Sequence, residues 1–293
     1  MPATDWGRRL EELRRERVPF VRATVVLAER PTSARPGDHA LVLSDGTIEG
    51  FVGGSCAESS VRAQSLAVLA ESRPQLLRIS PELEPPQPGR LQVVNPCLSG
   101  GTLEIFLEPW KPPPLLALLG ETPIGRALFE LAGPLGFEAV IWGSLPELPA
   151  AVVVASHGRG EEEVLRAALS SGVPYVGLVA SRRRGSAVRE SLHLDPELSA
   201  QLRTPAGLDI GATTPAEVAL SILAEIIASR PRVPREPTAA APAPVLARDP
   251  VCGMEVASVE TSLSWDHEGV RWWFCGPGCR DAFQADPSRY APA

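Results

Sequence analysis

The chain has 293 residues, long enough for two ordinary domains with cores of their own and a small third one. Its formal net charge of −7 excludes the broad basic face that duplex nucleic acid or an anionic membrane surface would require. No apolar run reaches the length of a membrane span, and the charged start "MPATDWGRRLEELRRERV" cannot form the core of a signal peptide, so we expect a cytoplasmic protein.

Cysteine is scattered along the chain, at Cys56, Cys97, Cys252, Cys275 and Cys279. An odd, widely spaced set of thiols in a reducing compartment favours thiol or metal chemistry over a disulfide framework. Functional sites are therefore expected at these positions.

Residues 1–110 are predicted to form an α+β domain. The strand-like runs "ATVVLAER" and "ALVLSDGTIEGFV" include the pair Asp45-Gly46, which is typical of a tight hairpin. A helix is predicted from Cys56 to Glu71, and strand-like composition returns in "LLRIS", "LQVV" and "TLEIFLEP". The pattern predicts an antiparallel sheet and a helix, closed by the linker "KPPP".

The stretch "GFVGGSCAESS" places a thiol at the start of that helix. Ser55 is predicted to cap the helix and Glu58 to close a capping box, so Cys56 takes the first helical position. Unpaired amides and the helix dipole favour the thiolate there, while Gly53 and Gly54 let the backbone approach a ligand closely. The alternative is a small buried residue behind a tight turn.

A second thiol stands beside a glycine pair in "NPCLSGG", where Cys97 precedes Gly100 and Gly101. Two such thiols in one small domain can face each other across a cleft. Two unrelated buried cysteines are the alternative.

Residues 114–230 alternate strand-like and helix-like runs, which predicts a Rossmann-like, doubly wound parallel sheet. "GETPIG" stands where a dinucleotide fingerprint has three glycines: Gly120 and Gly125 are present, but Thr122 replaces the middle one. The next strand runs into Trp142, not into an acid that could hold a ribose hydroxyl. An NAD(P) site is therefore not expected.

Polar residues follow two strands of this domain. His157 comes after "AVVVAS", at a carboxyl end where ligands bind open α/β sheets; a solvated loop histidine is the alternative. Arg182 and Arg183 belong to "SRRRG", whose guanidinium groups can grip a phosphate; a solvated helix start is the alternative.

The segment "TTPAEVALSILAEIIASR" predicts a helix with Thr214 as N-cap, Pro215 at the first helical position and Glu217 closing a capping box. Asp209 lies in "GLDIGATTP", which leads into this N-terminus. A helix N-terminus is a natural anion site, and Asp209 can orient arginine side chains there.

Residues 231–247 contain five prolines and no apolar periodicity, which predicts an extended tether. Residues 248–293 are then a small separate module, too short for a core without a staple such as a metal.

The thiols of this module predict a metal site. Cys252, Cys275 and Cys279 are soft ligands that favour Cu(I) or Zn(II). Met254 and His267 are candidates for a fourth ligand. A structural zinc, or no metal at all, is the alternative.

The stretches "GFVGGSCAES", "PCLSGGTLEIFLEP", "YVGLVASRRR" and "TPAGLDIGATTPAEVALSILAEIIASR" resemble the XdhC/CoxI family of molybdenum-cofactor maturation proteins, over residues 18–230. The resemblance implies a cytoplasmic chaperone that binds molybdopterin cofactor during installation of a terminal sulfur. It favours a chaperone over an enzyme. It also implies delivery to an apo molybdenum hydroxylase such as xanthine or carbon monoxide dehydrogenase, with a cysteine desulfurase as a second partner and homodimerisation left open.

By the same resemblance Cys56 is the candidate to touch molybdenum or its sulfur, with the glycine amides facing the ligand. The family usually has its second cysteine directly before two glycines, whereas Leu98 and Ser99 intervene after Cys97. The arginines of "SRRRG" are the implied grip on the molybdopterin phosphate.

The tail stretches "DPVCGM", "FCGPGC" and "DPSRY" resemble the YHS family, related to TRASH-like metal modules. Two other classes of function stay open at this point. One is an NAD(P)-dependent oxidoreductase, and the other is a metal sensor or carrier that acts through the tail.

Overall fold

The computed structural model describes residues 6–96, 101–143, 145, 147–230 and 245–291. These residues divide into two compact units. One unit combines the described residues of Met1–Pro112 and Arg235–Ala293, and the other takes those of Pro113–Pro234. The C-terminal tail therefore folds against the first domain. None of the described helices combines the length and the apolar character needed to cross a membrane.

The first domain is a mixed sheet with two helices. Its elements are α1 (Trp6–Arg15), β1 (Phe20–Glu29), β2 (His39–Leu43), β3 (Ile48–Gly50), α2 (Ser55–Glu71), β4 (Gln75–Ser80), β5 (Arg90–Val94) and β6 (Thr102–Trp110). The strand order is β3-β2-β1-β6-β4-β5. Neighbouring strands run antiparallel, as predicted, except that β5 lies parallel to β4 at the edge.

Local sequence explains the hairpin and the packing of α2. Gly46 adopts a φ of 85°, and Asp45 Oδ1 accepts a hydrogen bond of 2.8 Å from the amide of Thr47, so the predicted hairpin between β2 and β3 is confirmed. Helix α2 buries Val61 and Val68 in the apolar core that lines the sheet. The helix start is thereby fixed to the sheet.

The second unit is a five-stranded parallel sheet in the described residues. Its elements are β7 (Leu115–Leu119), α3 (Pro123–Ala132), β8 (Glu138–Ile141), β9 (Ala151–Val154), α4 (Glu161–Ser170), β10 (Val176–Leu178), α5 (Arg182–Ser191), α6 (Pro196–Gln201), β11 (Leu202–Arg203) and α7 (Pro215–Ser229). The order is β11-β10-β9-β7-β8, with parallel pairings. The predicted Rossmann-like architecture is confirmed.

Alternation along the central strands produces the two covered faces. Leu116 and Leu118 of β7 face a core that includes residues of α3 and α7, whereas Ala117 between them faces a core with α4. The predicted capping box of α7 is also present: Thr214 accepts from the amide of Glu217, whose carboxylate accepts from the amide of Thr214.

The tail contains β12 (Leu246–Arg248), β13 (Glu255–Ala257), β14 (Leu263–His267), β15 (Val270–Phe274) and α8 (Pro277–Ala285). The strands form two antiparallel pairs, β12 with β13 and β14 with β15. Phe283 is fully buried, and other aromatic rings surround it: Trp265, His267, Trp272, Phe274 and Tyr290. Most of the predicted tether, residues 231–244, lies outside the described residues, and its last two residues belong to β12.

Candidate functional site

Helix α2 begins one residue earlier than the sequence predicted. Gly54 is its N-cap, with extended backbone, and no side chain caps the helix. The predicted N-cap role of Ser55 and the capping box through Glu58 are therefore wrong, because a glycine cap has no side-chain oxygen to offer. The amide of Glu58 instead donates to the carbonyl of Gly54 at 3.0 Å, and Cys56 takes the second helical position.

Burial acts on the charged groups of this helix. It raises the pKa of the Glu58 carboxyl above its usual range, and the attraction of Arg62 offsets part of that rise. Arg62 is half-buried as well, and its Nε donates to the carbonyl of Gly46 at 2.8 Å. Arg62 thus ties α2 to the β2–β3 hairpin, with Glu58 beside it on the same helix.

A cavity of about 280 Å³ opens at the amino end of α2. Of the predicted ligand-binding residues, Gly54, Ser55, Cys56 and Gly101 line it; the other lining residues are Pro31, Thr32, Ser33, Ala57, Ile79, Asn95 and Leu103. The structure therefore brings the start of the helix and one predicted glycine together. The prediction for Cys97 and Gly100 falls outside the described residues.

Close packing fixes two of the predicted glycines: Gly101, which lines the cavity, and Gly53, which is buried and does not line it. Gly53 has a φ of 135°, a conformation that favours glycine, and a Cβ there would lie 3.0 Å from Ala57 Cβ. A Cβ on Gly101 would collide with the carbonyl oxygen of Pro31. Neither position therefore has room for a side chain.

The tail places three thiols and one carboxylate together. One ligand atom from each of Asp249, Cys252, Cys275 and Cys279 lies within 4.8 Å of all the others. Sγ of Cys275 is 3.5 Å from Sγ of Cys252 and 3.7 Å from Sγ of Cys279. The predicted metal-ligating cysteines thus form one cluster.

Thiol–thiol hydrogen bonds and burial shift the pKa values of the three cysteines in different directions. The hydrogen bond with Cys275 lowers the pKa of Cys252, whereas the same bond, a second one with Cys56, and burial raise the pKa of Cys275. Burial, with the nearby charge of Asp249, raises the pKa of Cys279 to about 12. Several adjacent thiolates therefore require a cation between them.

Cys56 packs beside the tail thiols, although it is not among the four residues whose ligand atoms all lie within 4.8 Å of one another. It packs, half-buried, against a core of Met254, Val256 and Cys275, together with Cys252 and Cys279. The tail turn lies over the first turn of α2, since a Cβ on Gly276 would be 2.9 Å from Ser55 Oγ and 3.5 Å from Cys56 Sγ. Sequence patterns missed this juxtaposition because nothing local links two segments so far apart in the chain.

Asp249 is a further residue that the sequence patterns missed. Its carboxylate is 1% exposed and accepts hydrogen bonds from the amides of Val251, Cys252 and Cys275, at 2.9, 3.3 and 2.8 Å. The signal available in the sequence was the Asp-Pro pair at the start of "DPVCGM", which is typical of a turn organised by an aspartate side chain.

In the second unit, the residues of "GETPIG" stabilise the fold. Thr122 Oγ1 accepts from the amide of Gly125 at 3.1 Å and caps α3. Gly120 has a φ of 108°, and a Cβ there would collide with the carbonyl oxygen of Ala155 on the neighbouring strand. Trp142 packs, partly buried, against the core on the α4 face.

The predicted ligand contacts of the second unit are all exposed: His157, Arg182, Arg183 and Asp209. The buried polar group nearby is Glu161, 3% exposed, which pairs with Arg184 and accepts from the amide of Gly158 at 2.6 Å. Arg184, not its two neighbours in "SRRRG", is thus the arginine bound to the loop that carries His157.

Family models match most of the chain. The model described as the XdhC and CoxI family matches residues 13–80, the XdhC Rossmann domain matches residues 116–226, and the YHS domain matches residues 247–293. These matches coincide with the first domain, the parallel sheet and the thiol-bearing tail.

Individual relatives agree with these matches. The chain is 28% identical to the uncharacterized protein YqeB of Escherichia coli (strain K12), over 76% of this chain and 46% of that protein. It is 26% identical to the molybdenum cofactor insertion chaperone PaoD of the same organism, over 70% and 82%, respectively. It is 28% identical, over 45% and 48%, to a Bacillus subtilis (strain 168) protein that is named a probable xanthine dehydrogenase subunit. The chain thus spans about half the length of the first and third of these relatives.

Proposed function

Because the chain belongs to the XdhC and CoxI family and carries a YHS domain besides, we propose that it is a chaperone that binds the molybdopterin-type molybdenum cofactor transiently and inserts it into a molybdenum hydroxylase. The match to PaoD supports the proposal, because PaoD is named an insertion chaperone and the match covers 82% of its length. The relative from Bacillus subtilis, with its name of a probable xanthine dehydrogenase component, supports a hydroxylase of that type as the client.

The observation that carries the proposal is the cavity at the amino end of α2. Its wall combines the Cys56 thiol with Gly54, Ser55 and other small residues that leave room for a ligand. The first amides of a helix lack partners within the helix, and the dipole makes this end partially positive, which suits an anionic ligand. At about 280 Å³, the cavity is at the small end of ligand sites, so it fits one end of the cofactor.

The cofactor, when bound, supplies a molybdenum centre with exchangeable sulfur and oxygen ligands. Cys56 would hold that centre through Sγ, and the lining side chains of Thr32, Ser33 and Asn95 would hydrogen-bond to its polar groups. In the second unit, the exposed Arg182 and Arg183 remain our proposed contacts to the cofactor phosphate.

The finer parts of the proposal concern partners and place. We propose that a cysteine desulfurase provides the terminal sulfur while the chaperone holds the cofactor, and that an apo-enzyme of the xanthine or carbon monoxide dehydrogenase type receives it. We further propose that the protein works in the cytoplasm. His157 and Asp209 remain proposed ligand contacts of the Rossmann domain, without NAD(P) as their ligand.

A second function, metal carriage or sensing through the tail, is favoured by one specific observation. The three tail thiols lie within 4.8 Å of one another, which suits a soft ion such as Cu(I) or Zn(II). The cavity and the thiol cluster are different places, but both include Cys56, so metal binding by the tail and cofactor binding meet at this residue.

The chaperone proposal is tested by purifying the full chain from a host that makes molybdenum cofactor and oxidising the bound fraction to a fluorescent pterin. We expect pterin on the parent protein and a loss of most of it in Cys56→Ser. Ser55→Ala is the comparison variant, because it changes the neighbouring lining residue and leaves the thiol; we expect it to lose less pterin than Cys56→Ser.

Two results would contradict the proposal. One is a parent protein that carries no pterin and binds none when cofactor is added at concentrations well above micromolar. The other is a Cys56→Ser variant that retains as much pterin as the parent, which would make the thiol structural.

A further inference from the structure

The tail thiols are already spaced as ligands of a single ion. Their Sγ–Sγ distances are 3.5 Å and 3.7 Å, measured from Cys275 to Cys252 and to Cys279. With Zn–S bonds of about 2.3 Å, two thiolates on a tetrahedral ion lie about 3.8 Å apart. Three thiols at this spacing leave one corner of the tetrahedron to be filled.

Asp249 is placed to organise the cluster, not to fill that corner. One of its oxygens accepts from the amides of Val251 and Cys252, and the other accepts from the amide of Cys275. Both oxygens of this buried carboxylate are thus committed to the backbone that carries two of the thiols. A metal bound through Asp249 would share an oxygen that already accepts from these amides, and it would weaken those hydrogen bonds.

The two ligands considered from sequence are less well placed than a thiol from the first domain. His267 stacks on Trp265, with ring centroids 5.1 Å apart, and its edge meets Phe283. Met254 lies in the cluster, but its thioether carries no charge to balance a cation. Cys56 packs against the same core, and its Sγ would be 3.5 Å from a Cβ on Gly276, the residue after Cys275.

The charges around the cluster also suit four thiolates. Cys56 is in the first turn of α2, and Cys279 is in the first turn of α8, so two helix N-termini direct their partially positive ends towards the sulfurs. Four thiolates around a divalent ion carry a net negative charge, which these helix ends stabilise. Gly276, the N-cap of α8, allows the close approach to Ser55.

We propose that Cys56, Cys252, Cys275 and Cys279 form one closed tetrathiolate site for Zn(II), built from two domains. Four thiolates in a tetrahedral arrangement are typical of structural zinc sites. The ion would bind the tail to the amino end of α2, and it would engage the thiol that we propose for molybdenum cofactor binding. This last consequence alone depends on the proposed function; the metal site does not.

The site is tested on the full chain by two measurements. The first is substitution with Co(II), whose sulfur-to-cobalt charge-transfer absorption grows with the number of thiolates bound. The second is Zn(II) affinity, from competition with a chromophoric chelator. We expect Cys56→Ser to lose the absorption of one thiolate in four and to bind Zn(II) at least about tenfold more weakly, since even the loss of an outer-shell partner costs about 10–100-fold.

Met254→Leu is the matched control, because it keeps the side-chain volume and removes the thioether sulfur while all four thiols remain. We expect it to match the parent in both measurements. The proposal is overturned if Cys56→Ser keeps the parent's absorption and affinity, or if Met254→Leu shows the losses in its place.

A measurement on the unmutated protein guards against a variant that fails to fold. Each cysteine is alkylated with and without one equivalent of Zn(II), and the modified peptides are quantified by mass spectrometry. We expect Zn(II) to protect Cys56 together with the three tail cysteines. Protection of the tail cysteines with undiminished alkylation of Cys56 would show a site confined to the tail and refute the proposal.

Discussion

The two units of the molecule use their polar residues differently. In the first unit, Cys56 meets the tail thiols and a cavity at one helix start, and the buried Asp249 organises the chain around them. In the second unit, the predicted contacts at the strand ends are exposed, and the buried Glu161 holds a loop. A buried carboxylate therefore holds the backbone of the thiol cluster in the first unit, whereas in the second unit it only stabilises a loop.

Glycine substitutions give the largest expected effect. Gly120→Ala combines a positive φ with a collision against the carbonyl of Ala155, so we expect a loss of roughly 2–5 kcal/mol in the free energy of unfolding. Gly54→Ala, in open space at the cavity, should cost far less. Urea unfolding followed by circular dichroism measures both, and equal losses would show that the backbone contact at Gly120 is dispensable.

Asp249→Asn tests the buried carboxylate of the first unit. The amide has one acceptor oxygen for the three backbone amides, so we expect about 1–3 kcal/mol lower stability and Zn(II) affinity lower by about 10–100-fold. Asp266→Asn, which removes only an exposed pair with Arg271, is the control and should leave Zn(II) affinity unchanged. Unaltered affinity in Asp249→Asn would mean that the carboxylate does not organise the cluster.

Glu161→Gln tests the corresponding carboxylate of the second unit. It weakens the hydrogen bonds to Gly158 and Ser156 and the pairing with Arg184, so we expect about 1–3 kcal/mol lower stability with pterin content and Zn(II) affinity unchanged. Arg183→Gln is the control and should change stability by no more than about 0.5 kcal/mol. A fall in Zn(II) affinity in Glu161→Gln would contradict the division between the two units.

The smallest effect is a pH dependence at the start of α7. Hydrogen bonds from the amides of Thr214 and Thr213 lower the pKa of Glu217 from 4.5 to about 2. A depressed pKa means that the contribution is complete above pH 4.5 and is lost as the pH falls towards 2. We expect the difference in thermal stability between the parent and Glu217→Gln to shrink over that range, and a constant difference would contradict the assignment.

Local signals in the sequence predicted the parts of the fold that depend on neighbouring residues. The Asp45-Gly46 hairpin, the capping box of α7 and the alternation of the parallel sheet are set by turn geometry and side-chain periodicity. The cap of α2 was misplaced by one residue, because Gly54 and Ser55 are both acceptable N-caps.

The candidate site was predicted only in pieces. The motif residues around Cys56 and the three tail thiols were each identified, but their meeting depends on packing between segments far apart in the chain. The parallel pairing of β5 with β4 was missed for the same reason, since composition does not encode strand direction. Long-range contacts, which no local pattern specifies, supplied the link between the cavity and the thiol cluster.

The central claim is that Cys56 serves both the cavity and the tail cluster, and one competition measurement tests it most directly. Full-length protein loaded with molybdenum cofactor is titrated with Zn(II), and the pterin that stays on the protein is measured as its fluorescent oxidation product. We predict that pterin is released in proportion to the Zn(II) that the protein binds. Full retention of pterin on a protein that has bound one equivalent of Zn(II) would contradict the claim.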